Sequence, residues 1–484
     1  MNELFLILPV LFPILMGFLG YILRFKSNKV RVGYYTSVIT LTTVFVWILI
    51  FLCGDGTLTL LQFTDSLKLS LRLDGAGKIF AALSSALWPL TAVYASDYMS
   101  HEKHKGMFWC FFTVSFGVTM GIAMAANLLT MYLFYEMLTL ATIPLVIHGM
   151  NRDAYHAGRK YMIYSFGGAA FAFITLAFLI NIGLSDFTFG GVLHSYAGNI
   201  NTVLVLFVVA FMGFGVKAAI FPFHGWLPTA GIAPTPVTAL LHAVAVVKAG
   251  AFALIRLTYY TFGTDILRNT WAQYFLLIMT AITIVYGSAK AAKQTHFKRR
   301  MAYSTVANLS YILFAIVLMN ESGMLAALFH MIAHSFIKIV AFFTAGAALH
   351  YTGKQYVREL EGIGLKMPLT FACFTVSAFA LTGVPPLNGF ASKWYILTAA
   401  AENGNIFSYI GMTALIISAL LTAVYMFSIV IKAYFPRKDK DLCEGVKEAK
   451  PAMTVPMLII SVCSVVMGLY AGQLYDLIAK VVLG

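Results

Sequence analysis

The stretch Gly213-Phe214-Gly215-Val216-Lys217-Ala218-Ala219-Ile220-Phe221-Pro222-Phe223-His224-Gly225-Trp226-Leu227-Pro228 is too apolar for a surface loop and too rich in Gly and Pro for an unbroken helix. A second such stretch, Leu381-Thr382-Gly383-Val384-Pro385-Pro386-Leu387-Asn388-Gly389-Phe390-Ala391-Ser392-Lys393, lies in the other half of the chain. Proline lacks an N–H and clashes with the preceding turn, so each stretch reads as a membrane helix interrupted part-way. Broken backbone at membrane depth persists only where it is buried in protein or lines a wet cavity. Two such breaks, one per half and each beside a lysine, predict a duplicated transporter core with its ion path near the breaks. The alternative is a pair of proline-kinked helices with snorkelling lysines. No direct sequence repeat is visible, so the duplication is inferred from the breaks.

The surrounding composition supports a membrane setting. Of 484 residues, 60% are hydrophobic and 11% charged, with a mean hydropathy of +0.84. A soluble domain carries about a quarter of its residues as charges. The chain therefore reads as an all-α polytopic membrane protein. Roughly 20 apolar residues cross a bilayer, and fourteen such segments are expected, centred near residues 13, 43, 86, 116, 138, 172, 211, 248, 281, 309, 335, 384, 420 and 463. The first, Met1–Leu23, has no basic leader and no small-residue cleavage site, so it reads as a spanning helix and not a signal peptide.

The net charge of +14 sits in short loops. If the loops alternate sides, 23 basic residues fall in one set, from Arg24 and Lys26 through Lys103, Arg152, Lys298, Lys354 and Arg437 to Lys450. The other set holds only Lys68, Arg72 and Arg268. The positive-inside rule then makes the first set cytoplasmic and puts both termini outside, in a bacterial-type inner membrane. No basic arm or aromatic-basic stripe supports a nucleic-acid partner.

The five cysteines, Cys53, Cys110, Cys373, Cys443 and Cys463, are dispersed with no CxxC pair, which argues against a disulfide framework, an iron–sulfur cluster or structural zinc. Asp74-Gly75-Ala76-Gly77-Lys78 lacks the upstream Gly and following Ser/Thr of a phosphate loop, and His101-Glu102-Lys103-His104 is one residue short of a zinc-protease motif. No cofactor site is expected in this chain; any redox chemistry would belong to partners.

Ionisable groups inside apolar segments are costly and default to functional candidates. Glu136 stands alone in its segment; it reads as a structural ion pair with a lysine or as a proton carrier. Lys217 precedes the first break and Lys248 sits mid-segment. A lysine, unlike an arginine, can give up its proton in a buried site. His242 precedes Lys248 by six residues and reads equally as a packing or a relay group. His330, His334 and Lys338 fall at i, i+4 and i+8, along one helix face, in a column about 12 Å long. Two histidines are too few for a metal site without further ligands, and the column suits proton hand-over better. Lys393 follows the second break.

At these residues the sequence resembles the antiporter-like membrane subunits shared by respiratory complex I, Mrp-type cation/proton antiporters and energy-converting membrane-bound hydrogenases. The resemblance runs over about residues 95 to 400. It takes in the Glu136 helix, the Lys217 to Pro228 break and Ala233-Pro234-Thr235-Pro236-Val237-Thr238-Ala239-Leu240-Leu241-His242-Ala243. It continues through Lys298-Arg299-Arg300-Met301-Ala302-Tyr303-Ser304-Thr305-Val306, the His330/His334/Lys338 helix and Gly383-Val384-Pro385-Pro386 with Lys393. It implies fourteen helices with two inverted five-helix repeats, each with a broken helix. The corresponding division is helices over 1–106, a first repeat over 107–258, a second over 259–434, and a loop and last helix over 435–484. It also implies that Glu136 pairs with Lys217, that Lys248 is the central relay, that His242 and the His330-to-Lys338 helix line the hydrated axis, and that Lys393 is the exit-side group. The chain lacks the long lateral helix of the largest complex I member, and Lys393 stands where one complex I branch carries a carboxylate. Its length and His330/His334/Lys338 pattern look more like the Mrp D subunit or its hydrogenase relatives.

The expected function is a proton-translocating subunit of a multi-subunit complex, moving H+ by relayed protonation of buried Lys, His and Glu, with sodium a candidate counter-ion. The implied partners are antiporter-like and small multi-helix membrane subunits, with redox subunits in the complex I or hydrogenase branches, where this chain would serve an enzyme without doing its chemistry. The alternatives are a stand-alone proton-coupled transporter of a small solute, which would need a polar midplane pocket that Gly, Pro and aromatics do not offer, and a structural scaffold.

Overall fold

A computed structural model describes residues 3–52, 54, 56–64, 66–193, 198–436 and 445–484; Cys53, Cys443, Arg437, Lys438 and Lys440 lie outside the described residues. A short 3-10 turn leads into α1 (Leu8–Ile22) and α2 (Asn28–Leu52), then a hairpin of β1 (Thr57–Gln62) and β2 (Lys68–Arg72). There follow α3 (Gly75–Tyr98), α4 (Lys105–Ala123), α5 (Leu128–Val146), α6 (Arg152–Asn181), α7 (Ile200–Gly215) and the short α8 (Trp226–Ala230). Next come α9 (Thr235–Ala243), α10 (Val246–Ile255) with a π-helical end at Arg256–Phe262, α11 (Thr264–Leu267), α12 (Trp271–Lys293), α13 (Phe297–Val317) and α14 (Glu321–Thr352). The chain closes with α15 (Ile363–Lys366), α16 (Pro368–Thr382), α17 (Asn388–Asn403), α18 (Ile406–Tyr434), α19 (Pro451–Leu469) and α20 (Ala471–Leu483).

Among the described residues, twelve helical spans are long and apolar enough to cross a membrane, counting α9, α10 and the π-helical end as one. The other two of the fourteen expected spans are the interrupted ones, α7 with α8 and α16 with α17. Asparagine caps set several starts: Asn127, Asn151 and Asn320 each accept a backbone N–H of the first turn, from Thr130, Ala154 and Gly323, all at 2.8 Å. At the second break, Gly383 ends α16 with φ +96°, a conformation that a side chain would strain.

The two ends of the bundle differ. At one, Lys68 of β2 pairs with Asp186 after α6 at 2.8 Å, and Asn127 at the head of α5 donates to Ser70 Oγ at 2.9 Å. At the other, Asp97 near the end of α3 accepts from Lys450 (3.0 Å) and Tyr351 (2.8 Å). The basic-rich loops gather at this second end. Helix α5 starts at the hairpin end, whereas α13 starts at the basic end, where Phe297 N donates to Gln355 O (2.9 Å). Spans four to eight and nine to thirteen thus run in opposite senses, and in each set the fourth span is broken at its Pro and Gly residues.

Two features were not legible in advance. The hairpin pairs Thr57 with Arg72 and Leu58 with Leu71, with a bulge between Thr59 and Leu61. The span around Lys248 is also interrupted, between Ala243 and Val246. Leu240 to Lys248 contains no Gly or Pro to announce this; its three valines lower helix preference only slightly.

Candidate functional site

The first break turns Lys217 inward. Helix α7 ends at Gly215, and the backbone turns through Val216–Ile220 before α8 begins. Lys217 is fully buried; its ammonium donates to the Tyr135 carbonyl and lies 3.4 Å from the centre of the Tyr135 ring. Glu136, the next residue on α5, brings Oε1 to 4.0 Å from Lys217 Nζ, and that oxygen is buried without a hydrogen-bond partner. The Tyr135 hydroxyl donates to Phe214 O at 3.0 Å, pinning α5 to the broken helix.

Gly250 then lets the next lysine approach. A Cβ there would stand 2.7 Å from Ala218 N and 3.0 Å from Lys217 C, so only glycine allows α10 to press against the broken segment. Two residues before it, Lys248 leaves α10 on the side of α14, and its Nζ lies 2.5 Å from His334 Nδ1. Both residues are fully buried. The expected relay lysine and the expected histidine column are therefore in direct contact.

The column itself divides. His334 and His330 are ring neighbours, 5.9 Å apart, and His330 Nδ1 lies 2.9 Å from Ser392 Oγ on α17. Lys338 turns the other way, donating to Ser304 Oγ and to Met301 O (3.2 Å) on α13. Shared helix face did not mean a single file, because a lysine stem is long enough to reach a neighbouring helix. His242, beyond the α9–α10 interruption, packs its ring 4.7 Å from that of Phe342, and neither of its nitrogens has a hydrogen-bond partner.

The second break frees carbonyls for Lys393, which donates to Leu381 O (2.6 Å) and Thr382 O (2.9 Å) and lies 5.5 Å from the centre of the Tyr311 ring. The Tyr311 ring is in turn 5.5 Å from that of His330. Among the described residues, Lys217 has a carboxylate within 4.0 Å, and Lys248, Lys338 and Lys393 have none. Their partners are carbonyls, hydroxyls, imidazoles and ring faces, which accept a hydrogen bond without fixing a counter-charge. No three His, Cys, Asp or Glu side chains among the described residues gather as metal ligands.

Three further groups take places that the sequence reading did not assign to them. Arg256 is fully buried and grips both oxygens of Asp74 at 2.5 Å, between the rings of Phe252, Tyr260 and Phe187. Asp74 also caps α3 by accepting from Gly77 N (3.0 Å), so the degenerate phosphate-loop stretch is a helix start. The rule that exposed Lys248 as an intramembrane charge would have found Arg256 too. Lys298, counted as a loop charge, donates to Ala233 O (3.1 Å) on the floor of a cavity of about 190 Å³ lined also by Glu102, His148 and Asn151.

A helical bundle with a Pro- and Gly-broken span in each of two oppositely running halves, and with buried bases between them, defines a polytopic membrane protein of the ion-transporter type. The chain belongs to the NADH:quinone oxidoreductase/Mrp antiporter transmembrane family, whose model matches residues 125–429. It is 31% identical over 401 residues to NADH-quinone oxidoreductase subunit N of Desulforudis audaxviator, covering 79% of this chain and 78% of that one. It is 27% identical over 504 aligned positions to Na(+)/H(+) antiporter subunit A1 of Staphylococcus aureus, covering 98% of this chain but only 62% of the longer relative. The same fold occurs in the membrane-bound sulfane sulfur reductase, an archaeal respiratory membrane complex (TM-score 0.86, 22% identity, 98% of this chain and 96% of that one). It occurs also in the Mrp complex of Dietzia sp. (TM-score 0.86, 18% identity, 100% and 98%). These relatives are subunits of multi-subunit membrane complexes.

Proposed function

We propose that this antiporter-like membrane subunit moves protons for a larger complex, by successive protonation of Glu136, Lys217, Lys248, His334, His330 and Lys393, with His242 and Lys338 as side groups. The contact of Lys248 Nζ with His334 Nδ1 at 2.5 Å carries this reading. It brings the span that packs on the Lys217 break against the histidine helix of the other half of the chain, through groups that exchange protons. A proton on Lys217 is held by the Glu136 charge; a change in that pairing releases it toward Lys248, and His334 and His330 pass it to the neighbourhood of Lys393. The chain would supply no cofactor of its own. Its membrane would be a bacterial-type inner membrane, with both termini and the hairpin outside and the basic loops in the cytoplasm, consistent with their opposite ends of the bundle.

The test is to purify the complex through a tag on this chain, identify the co-purifying subunits and reconstitute the assembly in liposomes. Proton flux that falls in Lys248→Ala while the subunits still co-purify supports the proposal. Unchanged flux refutes it. Small multi-helix partners and sodium-dependent flux would mark an Mrp-type antiporter; flavin, nickel or iron–sulfur partners would mark a redox-driven pump. A chain that purifies alone and carries a solute would favour the stand-alone transporter.

A further inference from the structure

Each break lysine lies beside a tyrosine ring, and the two arrangements match. Lys217 follows Tyr135 by 82 residues, and Lys393 follows Tyr311 by the same interval. Tyr135 lies on the second span of the first repeat and Tyr311 on the second span of the second, while both lysines lie on the fourth. The ammonium-to-centroid distances are 3.4 Å and 5.5 Å, both within the range at which a ring face attracts a cation. Both rings are fully buried and anchored through their hydroxyls, Tyr135 to Phe214 O (3.0 Å) and Tyr311 to Ser418 Oγ (2.7 Å). The halves differ in one respect: Tyr135 is followed by Glu136, Tyr311 by Ile312.

We propose that Tyr135 and Tyr311 are equivalent positioning residues, each holding the charged form of its break lysine against the ring face until the proton moves on. The inference rests on the proton-carrying reading above. A ring attracts the ammonium without a full counter-charge and so orients the lysine while leaving it free to discharge; at Lys217 it acts alongside the Glu136 carboxylate. The titratable groups facing Lys217 are Glu136 and Tyr135 of α5; those facing Lys393 are Tyr311 of α13 and His330 of α14.

The experiment compares Tyr135→Leu, Tyr135→Phe, Tyr311→Leu and Tyr311→Phe in the complete reconstituted complex, recording proton flux against pH. Loss of the ring makes the ammonium easier to discharge, so the Leu variants should move the pH profile toward acid by about one unit. The Phe variants, which keep the ring face, should recover most of the profile. Leu profiles coinciding with wild type would overturn the proposal, as would Phe variants displaced as far as Leu, since the hydroxyl would then be the active part. Tyr→Met variants guard against misfolding: assembly lost with both Leu and Met but kept with Phe would make the ring a packing element only and overturn the proposal. A wild-type complex that carries no protons at any pH would instead overturn the functional reading, and this inference with it.

Discussion

Lys248 on α10 and His334 on α14 meet nitrogen to nitrogen at 2.5 Å, closed off from the surface on every side. They are 86 residues apart in the chain, and their contact links a helix of the first half to one of the second. Lysine is needed there because it can lose its proton, whereas a guanidinium stays charged.

Replacing Lys248 therefore separates charge from chemistry. Lys248→Ala should reduce proton flux at least about a hundredfold, the scale of a lost proton-transfer group, without loss of partner subunits. Lys248→Arg should be as inactive, although it keeps a cation. Flux in liposomes beside a co-purification assay checks both, and an active Arg variant would mean that only the charge matters.

Glu136 and Lys217 should act as one unit. Glu136→Ala and Lys217→Ala should each cut proton-coupled activity severely while the complex still assembles. The double variant should lose little more than the worse single one, because the second change removes a partner already idle. Full activity in both single variants would discard the relay, and multiplicative losses would show that the two residues work independently.

Lys393→Arg should inhibit. The freed carbonyls of Leu381 and Thr382 would accept a guanidinium readily, so the variant should fold, but it could not pass on its proton. Wild-type turnover in this variant would reduce Lys393 to an electrostatic fixture.

The Asp74–Arg256 pair should make stability depend on acid. Burial pushes the Asp74 carboxyl up, but the Arg256 guanidinium, its paired hydrogen bonds and the Gly77 N–H together hold it below the ordinary carboxylate value. A lowered folded-state pKa stabilises the fold above the unfolded carboxyl's pKa, and that contribution is lost as pH falls through the folded value. Thermal unfolding in detergent should thus show wild type losing stability below about pH 4. Asp74→Asn should be less stable by about 3–5 kcal/mol at neutral pH, since it strands a buried guanidinium, and should lack that acid limb. An Asn variant as stable as wild type would show the pair to be dispensable.

The spans, their number and the two breaks could be read from the chain because each is a local property: some twenty apolar residues, or a Pro beside a Gly, act within one helix. Glu136, Lys217, Lys248 and Lys393 stood out for the same reason, as isolated charges among apolar neighbours. Beyond the Glu136–Lys217 pairing that the resemblance implied, the sequence could not say which of these groups touch. Lys338 shares a helix face with His334 yet turns to Ser304, while Lys248 reaches His334 from a different helix. The Tyr135 and Tyr311 rings looked like ordinary core aromatics, and Asp74 like a loop residue, until folding brought Lys217, Lys393 and Arg256 against them. Those pairings depend on how helices cross and how close a residue such as Gly250 lets two backbones come, which is a property of packing between distant segments and of the tertiary structure alone.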